Sequence, residues 1–336
     1  MGVDARVTAA GVTKIACHVP TPRVLLSRER VPRDILTDPR VASLVAIGRE
    51  LGRLDYAFTT VTPATHIRAL QHREGPALDL RDVFGWSRSF SRDVIPAAML
   101  ELLDAAGCVA RDGDLLRSTI RFSTLGGQLF VHSAFPTTAP DAVFFGPDTH
   151  RFVAAVQRCA PHVERLVDVG CGSGAGGILL AGHAKRIVLA DIAPSALVFA
   201  RVNAVLARVE AEIVHSDVLA GVGGDIDLVI ANPPYMHDPD GPTYRDGGGA
   251  LGEGLAVRIA RDSLARLRSG GQLLLYTGSP IVDGCDRFLD AVTPALADTH
   301  WSYEELDPDV FGEQLAERRY VTVERIAAVL LRATVA

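Results

Sequence analysis

The sequence predicts an α/β protein: a doubly wound, mostly parallel sheet of seven strands, preceded by a smaller α+β domain. Two observations carry this. From residue 165 onward, short β-branched runs alternate with Ala- and Leu-rich stretches at helical spacing, the pattern of strands joined by crossover helices over a sheet buried on both faces. Before residue 140 that alternation is missing, and the chain reads as amphipathic helices followed by a hairpin.

Taken in order, PRVASLVAIGRELG (39–52) and IPAAMLELLDAAG (95–107) repeat apolar residues at helical spacing. LLRSTIRFS and QLFVHS, joined through Thr124-Leu125-Gly126-Gly127, read as the two strands of a hairpin. A helix followed by a hairpin resembles a winged helix, so DNA is one partner such a domain could hold. Pro140 and Gly146-Pro147 mark 139–149 as a connector, dividing the chain into an N-terminal recognition domain (1–140) and a second domain (141–336). In the second, RLVDVG, RIVLADI, AEIVHSD, IDLVIANPPY and GGQLLLYTG are successive strands, with PSALVFARVNAVLA and LAVRIARDSLARL among the helices between them. HWSYEELD and RIAAVLLRAT add edge strands, the last antiparallel.

Composition narrows the function. The chain has 336 residues, 48% hydrophobic and 22% charged, enough for about two cores. No apolar run approaches the ~18 residues of a membrane span, and the opening MGVDARVTAAGVTK has no secretory core and no myristoylation motif, Arg6 standing where Ser or Thr is needed. A cytoplasmic location without membrane attachment is expected. Cysteines 17, 108, 159, 171 and 285 are never spaced C-x-x-C, which argues against a disulfide framework or a zinc site. Residues 1–150 carry 17 basic and 16 acidic groups and 151–336 carry 17 and 24, so extended nucleic-acid binding through clustered cations is disfavoured. There is no G-x-S-x-G, no H-E-x-x-H and no P-loop motif, and only two lysines, Lys14 and Lys185, are present. His132, His183 and His215 read as packed or surface histidines. Nothing in the sequence speaks to oligomeric state.

The first strand runs into LVDVGCGSGAGG (166–177), where glycines let backbone approach a ligand and present N–H groups at a helix N-terminus. Two readings fit. Gly172, Gly174 and Gly177 satisfy the dinucleotide pattern G-x-G-x-x-G, and Asp168, Gly170, Gly172 and Gly174 satisfy D-x-G-x-G-x-G. Asp168 before the turn would repel a pyrophosphate and could organise a cationic amino-acid moiety. Asp191, at the end of the second strand, suits a pair of ribose hydroxyls with either cofactor, and Asp217 ends the third. Helix capping is the competing explanation for both.

The D-x-G-x-G-x-G form resembles the first motif of the class I S-adenosylmethionine-dependent methyltransferases, over roughly residues 145–335. The resemblance implies a Rossmann-like fold with S-adenosyl-L-methionine as cofactor and S-adenosyl-L-homocysteine as product. It also implies cofactor contacts from Asp168, Gly170, Cys171, Gly172, Gly174, Asp191, Ile192, Asp217, Val218 and Asn232, with Asp217 facing the adenine amino group. If the strand order is 3-2-1-4-5, the first and fourth strands are neighbours at the switch point, and the glycine loop faces Asn232-Pro233-Pro234-Tyr235 across one cavity. A conjugated nitrogen is a poor nucleophile. Acceptors at the Asn232 side chain and the Pro233 carbonyl would hold its N–H groups and aim its lone pair, while Tyr235 would stack on the planar acceptor. An Asn-Pro turn that merely ends a strand is the plain alternative.

NPPY resembles the fourth motif of amino-methyltransferases acting on protein glutamines or exocyclic base nitrogens, and 243–275 is similar to the corresponding segment of the HemK-like enzymes. Two departures stand against a release-factor substrate: Tyr276-Thr277-Gly278 replaces a frequent glutamate, and 1–140 does not read as a small helical bundle. The expectation is an N-methyltransferase of a protein glutamine or nucleobase. Alternatives are a small metabolite or peptide-like natural product as acceptor, a cofactor-binding regulator with a DNA-binding N-terminal domain, and a nicotinamide oxidoreductase. Residues 244–254 read as a flap placing Arg245 or Glu253 at the acceptor or equally as a solvated loop, Phe144 and Phe145 as adenosine packing or core, and His237 as a candidate base. No metal site is expected.

Overall fold

The computed structural model describes residues 39–312 and 314–336. Arg6, Lys14, Cys17 and every reading made on residues 1–38 lie outside the described residues.

The N-terminal part opens with α1 (Pro39–Arg53), α2 (Pro63–Gln71), α3 (Leu80–Phe84) and α4 (Ala97–Ala105). Local chemistry sets their starts. The Thr62 hydroxyl accepts from the Thr65 amide with Pro63 at the first helical position, and Asp79 accepts from the Asp82 amide. Two hairpins follow, β1 (Val109–Asp112) with β2 (Leu115–Ser118), and β3 (Ile120–Leu125) with β4 (Gln128–Ser133). LLRSTIRFS is therefore not one strand: at Thr119, whose amide donates to the Cys108 carbonyl, the chain changes partner, and the Ser118 hydroxyl braces the kink on the Ile120 carbonyl. The expected turn is present at Gly126-Gly127, both in the left-handed region.

Then come α5 (Pro147–Cys159), β5 (Val163–Val169), α6 (Ala175–Leu179), β6 (Ala184–Asp191), α7 (Pro194–Ala207), β7 (Glu212–His215), β8 (Ile226–Ala231) and α8 (Gly254–Leu264). The chain ends through β9 (Leu267–Val282), β10 (Cys285–Asp286), α9 (Arg287–Val292), β11 (Thr299–Asp307) and β12 (Arg325–Val335). The main sheet runs β7-β6-β5-β8-β9-β12-β11, with the first five parallel and β12 antiparallel to both neighbours; the short β10 folds back on β9. This is the expected 3-2-1-4-5 order, and RIAAVLLRAT is inserted between the fifth strand and HWSYEELD.

Successive side chains of a strand point to opposite faces, and the sheet uses both. Leu166, Leu228 and Leu274 join Phe152, Val156 and Ile178 in one apolar layer, while Val167, Val229 and Leu273 join Ile259, Phe288 and Val292 in the other. Helix α7 is buried on two sides: Ala200 and Ala204 meet the first layer, and Ala196, Phe199 and Val202 enter a third core with Val41, Leu44, Phe122 and Val131 of the N-terminal part. A Phe or Val buried this way contributes about 1.5–3 kcal/mol. The N-terminal part thus sits on α7.

Candidate active site

Strands β5 and β8 lie side by side with Val169 opposite Ala231, so the glycine loop and the Asn232 bend leave the sheet together at its switch point. A cavity of about 320 Å³ opens there. Gly170 to Ser173, Asp191 to Ala193 and Ser216 to Val218 form one wall, Asn232 to Met236 with Thr243 to Arg245 the other, and Pro63 with Asp141 to Phe144 contribute an edge from the N-terminal part.

Left-handed backbone shapes the glycine loop: φ is +66° at Gly170, +53° at Gly172 and +77° at Gly174, values that favour glycine. Gly176 and Gly177 start a helix only five residues long, where a Cβ would crowd Phe152 and Leu189 respectively, so α6 lies close on the sheet. Asp168 points into this corner. It is 2% exposed and its Oδ2 accepts from the Gly177 amide at 2.8 Å; burial pushes its pKa up to about 7. Asp191 braces the loop differently, Oδ2 accepting from the Gly172 amide and Oδ1 from the Ala193 amide, each at 2.9 Å. Burial also raises its pKa. Between the two carboxylates Cys171 is buried, which holds its thiol well above the ordinary range.

Further along this wall, Ile192 is half exposed and Val218 is left-handed at φ +52°, strained for a β-branched residue. The Ser216 hydroxyl stabilises that turn by donating to the Val218 carbonyl at 2.8 Å. Asp217 lines the cavity, yet both its oxygens are held by Arg258, at 2.9 and 2.7 Å, in a half-exposed fork. Neither Asp191 nor Asp217 caps a helix: α7 has no side-chain cap and no helix follows Asp217.

On the opposite wall the Asn232 Nδ2 donates to Asp148 Oδ2 at 3.2 Å, and its Oδ1, buried, has no hydrogen-bond partner. Asp148 is 5% exposed at the start of α5 and also accepts from the Tyr276 hydroxyl at 2.6 Å. Burial raises the Asp148 pKa, opposed by hydrogen bonds from Tyr276, Asn232 and Tyr235. Tyr235 is buried, its ring against Gly278, where a Cβ would strike it, and 5.7 Å from the Phe311 ring. Burial beside Asp148 holds the Tyr235 and Tyr276 hydroxyls protonated.

The segment after the prolines is tied down. Its Thr243 amide and hydroxyl both donate to the Pro140 carbonyl, the Tyr244 hydroxyl donates to the Thr137 carbonyl, and the Tyr244 ring stacks on Phe144 at 5.6 Å and 8°. Phe145, by contrast, is core, against Phe130 and His132. Arg245 reaches the cavity while paired with Asp238 at 3.2 Å. Glu253 corrects the expectation made for it: its carboxylate accepts from the Ala250 and Leu251 amides ahead of α8 and does not line the cavity. His237 is likewise off the cavity wall, its amide donating to the Tyr320 hydroxyl.

Asp148, Tyr276 and Phe311 are the site residues that the motifs did not single out. Only Asp148 left a trace, an acid directly behind Gly146-Pro147 at a helix start. Among the described residues no cluster of three or more His, Cys, Asp or Glu could hold a metal ion, and no helix is long and apolar enough to cross a membrane.

A doubly wound sheet with a glycine loop, an acid after each of the first two strands and a polar bend facing them defines a nucleoside-cofactor domain. Residues 149–281 match the family model for the methyltransferase small domain. The chain is similar to a release factor glutamine methyltransferase of Deinococcus radiodurans, 34% identical over 176 residues, 48% of this chain and 58% of that protein. It is also similar to ribosomal RNA small subunit methyltransferase C of Escherichia coli K12, 32% identical over 122 residues, 35% of this chain and 33% of that protein. A solved Thermus thermophilus 16S rRNA N2 G1207 methyltransferase, in complex with AdoMet and guanosine, aligns at 18% identity and a TM-score of 0.44, covering 69% of this chain and 60% of that one. The chain thus spans less than two thirds of each of these proteins.

Proposed function

We propose that this chain is an S-adenosylmethionine-dependent N-methyltransferase acting on a planar amide or amino nitrogen, of a protein glutamine or a nucleobase. The observation that carries the reading is the Asn232 Oδ1: a buried acceptor without a partner, its amide turned by Asp148, on the wall opposite the glycine loop. An unsatisfied buried carbonyl costs about 1–3 kcal/mol, and an N–H of the acceptor would remove that cost.

The residues present fit the cofactor. Asp168 and Asp191 sit where burial makes a carboxylate receptive to a cation and to hydroxyls respectively, and Gly170, Cys171, Gly172 and Gly174 leave the backbone open beside them. Ile192 and Val218 would pack on the adenine, with Asp217 at its rim. S-adenosylmethionine supplies an electrophilic methyl when bound. Asn232 Oδ1 and the Pro233 carbonyl would hold the acceptor N–H groups so that the lone pair faces that methyl, and Tyr235 would lie along the acceptor plane. Once methylated, the nitrogen is cationic and sheds its proton to water, so no base is required and His237 has none of this work. A cytoplasmic location goes with this reading.

The test combines purified protein, methyl-labelled cofactor and a host-cell extract separated into protein, nucleic-acid and small-molecule fractions, with Asn232→Ala as control. Label in a macromolecular fraction that the variant fails to deposit supports the reading. Label confined to small molecules replaces the acceptor class, and equal labelling by both proteins removes Asn232 from its role.

A further inference from the structure

Arg121, the second residue of β3, is 4% exposed and lies over the Phe58 ring at 5.1 Å. Its Nε and Nη2 have no hydrogen-bond partner, and among the described residues it forms no ion pair. Those two N–H groups share one edge of the guanidinium plane, the edge that grips both oxygens of an oxyanion side by side. The neighbouring histidines add no charge, since His66 and His132 are kept neutral by burial with the Arg121 charge pushing the same way, His66 down to about 4, while a second cation, Arg81, lies over the same Phe58 ring at 5.7 Å. Burial lowers Arg121 itself only to about 10, leaving a buried cation without an ion-pair partner at neutral pH, an arrangement that is costly without an anion.

Arg121 lines a small cavity of about 20 Å³ together with Thr60, Ser133, Phe135 and Thr137. Pro63 and Phe144 belong both to this cavity and to the larger one, so the two adjoin at these residues. A space little larger than the ~10–15 Å³ that one water needs limits the ligand group to a small planar one and is too small for a tetrahedral phosphate. The near balance of charge in residues 1–150 also gives no track for a phosphate backbone.

We propose that Arg121 forms a carboxylate subsite, through which the N-terminal part anchors an acceptor whose nitrogen lies in the neighbouring cavity. Naming the ligand as the acceptor rests on the methyl-transfer reading; the anion preference does not, and it is measured without turnover.

The experiment is thermal unfolding of the full chain in sodium formate, sodium phosphate or sodium chloride at matched ionic strength, for the wild type and Arg121→Met. Formate is expected to raise the wild-type Tm above its chloride value by about 2–4 °C, and the variant to lose that increment. An equal formate response in both proteins, or an Arg121-dependent response to phosphate without one to formate, overturns the proposal. If Arg121→Met does not fold, Arg121→Lys, which keeps the charge and loses the planar fork, must lose most of the formate increment, and a full increment overturns it. A formate effect that stands while extract labelling fails would leave the subsite in place and remove the acceptor reading.

Discussion

Asp148 and Asn232, 84 positions apart in the chain, meet at 3.2 Å, and the contact decides which end of the Asn232 amide is left for the cavity. An ionised carboxylate only accepts, so it takes the Nδ2 and leaves the Oδ1 as the free end of the amide. Replacing Asp148 by Ala frees the amide to rotate and leaves the Tyr235 and Tyr276 hydroxyls without their acceptor. Turnover should drop by about 10²-fold, as on loss of an oriented polar group, stability by about 1–3 kcal/mol, and cofactor affinity by only a few-fold. Single-turnover methyl transfer beside calorimetric binding separates these; a large loss of affinity with normal transfer would refute the orienting role.

The two acids beyond Asp168 should differ in weight. Asp191 holds two backbone amides of the glycine-loop wall, whereas Asp217 is half exposed and held by Arg258. Asp191→Ala is expected to weaken cofactor binding by about 10²-fold or more, through two charge-assisted hydrogen bonds of about 1.5–3 kcal/mol each. Asp217→Ala should change it by less than about 10-fold. Titration calorimetry with S-adenosylhomocysteine on both variants decides the order.

Cofactor affinity should depend on pH through Asp168. Burial raises its pKa to about 7 in the unliganded protein, and a bound cation favours the ionised form and lowers it. Affinity should therefore climb from about pH 6 to pH 8 and then level off, with a proton released on binding below pH 7, visible in buffers of different ionisation enthalpy. Without ligand the sign reverses: the folded state keeps this proton to higher pH than the unfolded chain, so stability falls as pH rises from about 4 to about 7 and no further. Asp168→Asn should flatten both profiles.

The glycines after the Pro-Pro bend are packing requirements. A Cβ on Gly247 would collide with the Gly252 carbonyl oxygen, and one on Gly252, at φ +101°, with the Tyr235 carbonyl oxygen. Gly247→Ala should unseat this segment, hasten proteolysis within 237–253 and depress turnover, with little effect on the global Tm. An unchanged cleavage pattern would show that the loop adapts.

Much of this architecture was legible because the parallel strands are buried on both faces and so read as runs rich in Val, Ile and Leu, as in LVDV and IDLVIA, and because left-handed turns leave glycines at 170, 172 and 174. The split of LLRSTIRFS at Thr119 was not legible, since both halves carry the same alternation and only the choice of partner differs. Glu253 was misplaced for a related reason: a charge beside a motif does not disclose that two local amides already occupy it. Asp148 and Arg121 depend on contacts across scores of residues, with Asn232 and Phe58, and neither has a spacing that a single sequence displays.

Asn203 is fully buried in α7, its Oδ1 accepting from the Val131 amide while its Nδ2 donates to the carbonyls of Val131 and Ser173. One side chain thereby completes the edge of β4 and grips the glycine loop. The two parts of the chain are in consequence not interchangeable modules. A catalytic segment cut free at the connector would bare Phe199 and Val202 to water and loosen Ser173, and a foreign recognition module grafted in its place would need to supply a strand edge for Asn203. Drift in what this protein recognises is thus confined to side chains lining the cavities, with the scaffold itself held in common by both halves.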